Sequence, residues 1–380
     1  MKVALVSAYD LAVPGGVQAQ VMGLARALRA AGDEVVIIAP GTRPTTAEDL
    51  EVVTVGPVRR LPANGSRAPV APTPGAMRRT RRALAARSLD LVHVHEPLVP
   101  GPALAAASWR DLPVVGTFHR ARAGAVYVAY GHALRGLVRR LDDRVAVSEV
   151  ARATLWAAAG PCPVGILPNA VDLGRFDHAA PTPVAAPTVL FIGRAEARKG
   201  LDVLAEAFAG LPGDLRLQIV GEGPEAPALR RRFGADARIE WLGALSDAEL
   251  AGRLAAAEIL VAPSRGGESF GVVLLEAMAA GTAVLASDLP GYRLAAGDAA
   301  AYSPPGDALA LRGHLQSLLA DPEARRRLVA AGRTVAARHS FADLAAAYAE
   351  RYALAAAHAA ARRRGRSRRA GHGGARTLGA

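Results

Sequence analysis

The sequence predicts two doubly wound α/β domains in tandem, each built on a parallel sheet. Its 380 residues exceed one ordinary domain and suit two of roughly 150 to 200 residues each. Short β-branched runs alternate with helical stretches, stop at a passage rich in Pro and Ala, and then start again. Alternation of this kind specifies a parallel sheet covered by helices.

In the first half the strands fall at Val3 to Ser7, Val35 to Ala39, Val52 to Val55, Leu91 to His95, Val114 to Phe118 and Arg144 to Val147. The passage Ala179-Ala180-Pro181-Thr182-Pro183-Val184-Ala185-Ala186-Pro187 has no usable periodicity and reads as an interdomain hinge. Strands resume at Val189 to Ile192, Leu215 to Val220, Ile239 to Leu242, Ile259 to Ala262 and Ala283 to Ala286. The expected domains are therefore 1–169 and 170–340. An alanine-rich helix over 341–361 is free to pack back across the first domain. The basic tail 362–380 is expected to be disordered.

Apolar residues make up 51% of the chain, yet no uninterrupted apolar run approaches the roughly 20 residues that span a membrane. The N-terminal run is brief and broken by Tyr9-Asp10 and Pro14-Gly15-Gly16, so it reads as a first buried strand rather than a signal peptide. A cytoplasmic protein is expected. The single Cys162 excludes an internal disulfide framework and fits a reducing compartment. Its flanking prolines place it in a plain loop, a poor setting for a catalytic thiol. The net charge of +12 is partly a tail effect, because seven of the 46 basic residues lie beyond Ala361 and leave 39 bases against 34 acids. A second concentration is more informative. Between Glu51 and Asp90 there are eight arginines and no acid, a positive face suited to phosphate-bearing partners or an anionic membrane.

Glu268 and Glu276 stand with seven residues between them, in a glycine loop that runs into a helix starting near Gly271. Glycines let the backbone approach a ligand, and exposed N–H groups at a helix start attract an anion. Gly193-Arg194-Ala195-Glu196-Ala197-Arg198-Lys199-Gly200 places cations in a turn that can clamp a diphosphate or lie as a solvated basic loop. Lysine occurs only twice, at Lys2 and Lys199, so a compact ammonium is singled out at Lys199. Gly15 and Gly16 follow the first strand without the full dinucleotide fingerprint, and no acid ends the second strand, which argues against NAD. A plain tight turn is the alternative reading there. Gly15-Gly16, His119, Arg194 and Glu268 all follow strand C-termini, where two doubly wound domains facing across a cleft would bind a ligand.

His119 ends a buried strand and is placed either to hydrogen-bond a sugar hydroxyl or to satisfy a structural role. His93-Val94-His95-Glu96 invites a zinc reading, but no third ligand is evident, and no metal site is expected. No Asp-x-Asp occurs either. Arg78, Arg79, Arg81 and Arg82 cover one broad face of a helical stretch, suited to a membrane surface or simply to solvent. Aromatics are only 4% of the chain and none interleaves with the basic residues, so no nucleic-acid partner is expected.

At these residues the chain resembles the family-4 retaining glycosyltransferases of the GT-B fold, and within them the actinobacterial phosphatidylinositol mannosyltransferases. The resemblance runs to about Ala361. It is carried by Val13-Pro14-Gly15-Gly16-Val17-Gln18, Asn64-Gly65-Ser66, His93-Val94-His95-Glu96-Pro97, Thr117-Phe118-His119, Val145-Ala146-Val147-Ser148, Pro168-Asn169-Ala170-Val171-Asp172, Gly193-Arg194, Arg198-Lys199-Gly200 and 266–288. It implies GDP-mannose as donor, phosphatidylinositol at the cytoplasmic membrane face as acceptor, and no tightly bound cofactor. Arg194 and Lys199 would hold the diphosphate with Gly16 approaching it, and His119 and Glu268 would contact mannose. Glu276 would bind the ribose and Asp247 the guanine, with Ser269, Phe270 and Gly271 completing the donor loop. Asn64, Ser66 and Arg67 would meet the acceptor, where Ala63 replaces the family's aromatic residue and Pro69 stands at the place of an expected arginine. A soluble acceptor or a UDP-linked donor is the alternative within the family.

Overall fold

The first sheet of the computed structural model is built from β1 (Lys2–Val6), β2 (Glu34–Ala39) and β3 (Glu51–Thr54), then, beyond a two-stranded sheet of β4 (Arg59–Ala63) and β5 (Ser66–Val70), from β6 (Leu91–His95), β7 (Val114–Phe118), β8 (Asp143–Ala146) and β9 (Gly165–Ile166). All its strands are parallel, in the order β3-β2-β1-β6-β7-β8-β9. The second sheet contains β10 (Thr188–Ile192), β11 (Arg216–Val220), β12 (Ile239–Gly243), β13 (Ile259–Ala262), β14 (Ala283–Ser287) and β15 (Ala301–Ser303). It too is parallel, in the order β12-β11-β10-β13-β14-β15. The structure describes all residues except 43–48, 64–65, 178 and 374–380, and its description of side chains also leaves out 62–67 and 364–373.

Both sheets start in the middle, step outward to one edge, and return to the other side of the first strand. In such a sheet the strand order reverses beside the first strand, and the crevice outside the strand C-termini at that point receives ligands. The reversals lie between β1 and β6, and between β10 and β13. Central strands are covered on both faces, and Val3, Ala4, Leu5 and Val6 are accordingly apolar without alternation and fully buried. The two-stranded β4–β5 sheet and the short edge strands β9 and β15 were not among the strands read from sequence.

The chain divides into two compact units, Met1–Leu61 with Ala68–Leu167 and Leu344–Ala380, and Pro62–Arg67 with Pro168–Asp343. The C-terminal helix Phe341–Gly373 enters the first unit's core through Ala345, Tyr348, Tyr352 and Ala355, all buried beside β1 residues Val3 and Leu5. The expected helix end at Ala361 differs from the structure, in which helical backbone continues to Gly373, and the rest of the expected tail lies outside the described residues. Alanine and arginine favour helix, no proline interrupts, and Arg362 pairs with the buried Asp142 while Arg363 donates to the Asp111 carbonyl.

Candidate active site

In the second unit the chemistry gathers where β10 and β13 end. After β10 the chain makes one turn of 3₁₀ helix, Ala197–Lys199, and leaves it through Gly200 in a left-handed conformation (φ 65°). A Cβ on Gly200 would stand 2.1 Å from the Pro263 carbonyl oxygen just beyond β13. Only glycine combines that dihedral with that approach. The turn is thereby pressed against the β13 loop, and Lys199 meets Glu268. Lys199 Nζ lies 2.9 Å and Arg198 Nη1 2.8 Å from the same oxygen, Glu268 Oε1, to which Ser264 also donates at 3.1 Å. Tyr292, fully buried, bonds Ser264 at 2.8 Å. Gly291 closes the other side, where a Cβ would meet the Glu268 carbonyl oxygen at 2.4 Å. Burial alone would raise the Glu268 pKa, but Lys199 and then Arg198 outweigh it and hold the carboxyl below its usual range.

Arg194 and Lys199, expected together on a diphosphate, have separate partners. Arg194 Nε lies 3.1 Å from Glu196 Oε1, and the other Glu196 oxygen lies 3.3 Å from Arg198 Nε. Three cations and two carboxylates leave this cluster with one net positive charge. Sequence reading missed Arg198 and Glu196 as site residues, although both lie inside the quoted motif. The signal that could have found Arg198 is its adjacency to Lys199, which lets one tight turn present both charges to one carboxylate.

Glu276 lies in the helix Val272–Ala280, which begins and ends on left-handed glycines, Gly271 (φ 103°) and Gly281 (φ 80°). Arg175 approaches Glu276 at 3.5 Å and Asp247 at 3.2 Å, so a second unpredicted arginine links the residues expected at the ribose and at the base. Burial pushes the Glu276 carboxyl above its usual range despite Arg175, and Asp247 adds to the push. Ser269 is half-buried. The Phe270 ring is fully buried in the core, packed toward His339, and leaves only its backbone to a ligand.

In the first unit Gly15 caps the helix α1 (Gly16–Ala30) without any side-chain cap, and a Cβ on Gly16 would meet nothing within 4 Å. Beside it at the strand reversal, β6 and β7 end in a buried imidazole cluster. His95 Nδ1 lies 3.0 Å from His119 Nε2. His93 bonds Tyr352 through Nδ1 at 2.9 Å and Thr117 through Nε2 at 2.7 Å, and Thr117 in turn bonds Tyr348 at 2.8 Å. Both His93 nitrogens are therefore engaged, which removes them from the zinc reading, and no group of three metal-ligating side chains occurs among the described residues. Burial depresses the His93 and His119 pKa values to about 3 and that of His95 well below its ordinary value. Glu96 is the one non-glycine residue with positive φ (59°) among the described residues, and its Oε1 accepts from the His119 backbone N–H at 2.5 Å. A left-handed glutamate is strained. Here the strain turns its carboxylate back onto the chain that carries His119.

The helix α2 (Pro74–Ala85) buries Ala76, Thr80, Ala83 and Leu84 and exposes Arg78, Arg79, Arg81 and Arg82. Two of the four are tied down, Arg79 to the Val55 carbonyl at 2.9 Å and Arg81 to Ser108 at 3.2 Å. Asn64 lies outside the described residues, as do the side chains of Ser66 and Arg67. No described helix is long and apolar enough to cross a membrane.

Two family models together cover most of the chain: Glycosyltransferase Family 4 over residues 14–175 and Glycosyl transferases group 1 over 176–335. The phosphatidyl-myo-inositol mannosyltransferase of Mycobacterium leprae is 37% identical over 355 residues, 91% of this chain and 94% of its own. The chain belongs to glycosyltransferase family 4. The phosphatidyl-myo-inositol mannosyltransferase of Mycolicibacterium smegmatis is 37% identical over 87% of this glycosyltransferase and 88% of its own chain. A glycogen synthase of Mycobacterium tuberculosis is 32% identical over 88% of this chain and 89% of its own. Among solved structures, sucrose-phosphate synthase from Thermosynechococcus elongatus matches with a TM-score of 0.72 at 23% identity, covering 92% of this chain and 98% of its own. Anabaena HepE in complex with UDP and glucose matches with a TM-score of 0.75 at 18% identity, covering 92% and 99%. These likenesses identify the GT-B fold of the glycosyltransferase.

Proposed function

We propose that this glycosyltransferase moves mannose from GDP-mannose to phosphatidylinositol at the cytoplasmic membrane face, with retention of the anomeric configuration. The observation that carries the reading is the similarity, over about nine-tenths of the chain, to relatives named for mannosyl transfer to phosphatidyl-myo-inositol. The chemistry of the second unit supports the donor half. Lys199, Arg198 and Arg194 supply positive charge beside a strand reversal, and a leaving diphosphate develops negative charge as the glycosidic bond breaks. In this reading the anion takes Lys199 and Arg198 away from Glu268. The freed carboxylate then accepts from a sugar hydroxyl, and Ser264 and Tyr292 keep it in place. Glu276 accepts from the ribose once Arg175 turns toward Asp247 or the base, and His119 meets the sugar or its phosphate.

No side chain is assigned as a nucleophile on the sugar. The leaving phosphate stays beside the incoming hydroxyl and receives its proton, so that the new bond forms on the face the old one leaves. For the acceptor half, the exposed arginines of α2 suit an anionic headgroup surface. The test is a panel of GDP- and UDP-linked sugars against phosphatidylinositol vesicles and soluble acceptors, with products identified by mass spectrometry and the anomer by NMR. Mannosyl-phosphatidylinositol formed only from GDP-mannose supports the proposal. A product on a soluble acceptor, or from a UDP-sugar with equal efficiency, refutes it.

A further inference from the structure

We infer that His95 fixes the tautomer of His119, so that His119 presents Nδ1–H to its ligand as a hydrogen-bond donor and has no basic nitrogen there. His95 is 2% and His119 8% exposed, and a single bond of 3.0 Å joins His95 Nδ1 to His119 Nε2. Two neutral imidazoles can share that bond in only two ways, because one nitrogen must donate and the other accept.

If His119 Nε2–H donates, the His95 proton sits on Nε2. That atom is buried, and among the described residues no group bonds it. A buried N–H without an acceptor would result, and orphaned buried donors are rarer than under-satisfied acceptors. If His95 Nδ1–H donates, the unbonded His95 Nε2 is instead a bare lone pair. The His119 proton then sits on Nδ1, for which the described residues supply no partner.

The surrounding bonds hold the rings in place for this arrangement. The His95 and His119 rings lie 5.3 Å apart at 23°, and the His93 ring lies 4.4 Å from that of His95. His93 itself is fixed at both nitrogens by Tyr352 and Thr117. Glu96 pins the His119 backbone from the other side. His95 is thus a positioning residue that acts through His119. The inference that the donated proton meets the donor sugar or its phosphate rests on the proposed glycosyl transfer, whereas the tautomer itself does not.

The test therefore has two separable parts. On the full chain with ¹⁵N-labelled histidine, long-range ¹H–¹⁵N correlation is expected to show His119 Nδ1 in the protonated range and Nε2 in the bare range. Assignment comes from a His119→Ala sample. A protonated His119 Nε2 overturns the inference, whatever the enzyme transfers.

The second part uses the geometry of amides. The NH₂ of asparagine lies where His Nδ1–H does, and that of glutamine lies nearer Nε2. His95→Asn is expected to keep the His119 tautomer and turnover within a few-fold. His95→Gln is expected to lose the tautomer and roughly 10–100-fold in kcat, the size of effect typical of a lost orienting partner. A purely structural His95 would make the two variants equally active with an unchanged His119 spectrum, and that result would overturn the positioning role. The wild-type spectrum remains decisive if His95→Gln does not fold.

Discussion

Lys199 shows how much of the proposed donor site rests on a single residue. Its ammonium and the Arg198 guanidinium converge on one oxygen of Glu268, a carboxylate that is only 10% exposed. Removing the ammonium deletes the charge expected on the leaving phosphate, yet Arg198 and Ser264 still satisfy Glu268. Lys199→Ala should therefore lower kcat by about 10²–10³, the cost typical of one lost electrostatic stabiliser, while the melting temperature changes little. Turnover near that of the wild type would remove Lys199 from the chemistry. Glu276 calls for a different measurement. As the proposed ribose acceptor, Glu276→Gln should weaken GDP binding about tenfold by calorimetry, the order expected for a hydrogen bond to a charged group; an unchanged affinity would free Glu276 from that role. The motif residues stood out in the sequence because the proposed chemistry needs particular residue types at the ends of strands, and the fold does place Arg194, Lys199 and Glu268 beyond β10 and β13. Their partners did not stand out. Arg175 stands far from Glu276 in sequence, and only the fold brings the two within 3.5 Å.

At the scale of elements, the strands of both sheets were readable because doubly covered parallel strands are continuous apolar runs, whereas β9 and β15 span two and three residues and leave too short a pattern. The C-terminal helix was legible only as far as its apolar face. Beyond Ala361 its course depends on Arg362 reaching Asp142, a contact across more than two hundred residues that periodicity cannot reveal. The helix α2 was legible as basic, but not the division among its arginines. The side chains of Arg78 and Arg82 are exposed and bond no group among the described residues, while those of Arg79 and Arg81 bind their own unit. If α2 meets an anionic bilayer, each basic group near the surface contributes about 1 kcal/mol. Replacing Arg78 and Arg82 together by Gln should then weaken sedimentation with phosphatidylinositol vesicles by roughly an order of magnitude or more at low salt, without changing the melting temperature. Vesicle binding equal to that of the wild type would place the membrane face elsewhere.

For the molecule as a whole, the imidazole cluster ties stability to pH. His93 and His119 titrate at about 3 in the folded chain, and His95 also lies well below its ordinary value, all because burial disfavours the charged ring. An unfolded chain offers the same groups near pH 6.5, so below that pH it binds protons the folded chain refuses. The stability these neutral imidazoles confer is complete above pH 6.5 and is lost as the pH falls toward 3. Each group contributes a slope approaching 1.4 kcal/mol per pH unit once its unfolded form is protonated. Between pH 6.5 and 5 few carboxylates titrate in the unfolded chain, and the histidine slope is opposed only by the carboxyls that burial raises in the folded chain, among them Glu96, Glu276 and Asp143. Urea midpoints should fall steadily across this window, and unfolding at pH 5.5 should take up protons, measurable from the buffer dependence of the calorimetric enthalpy. Replacing His93 by Gln should flatten the pH slope by about one histidine's share, even if it lowers stability at pH 7. A midpoint that stays level from pH 7 to 5 would show that the imidazole cluster does not set the pH dependence of stability.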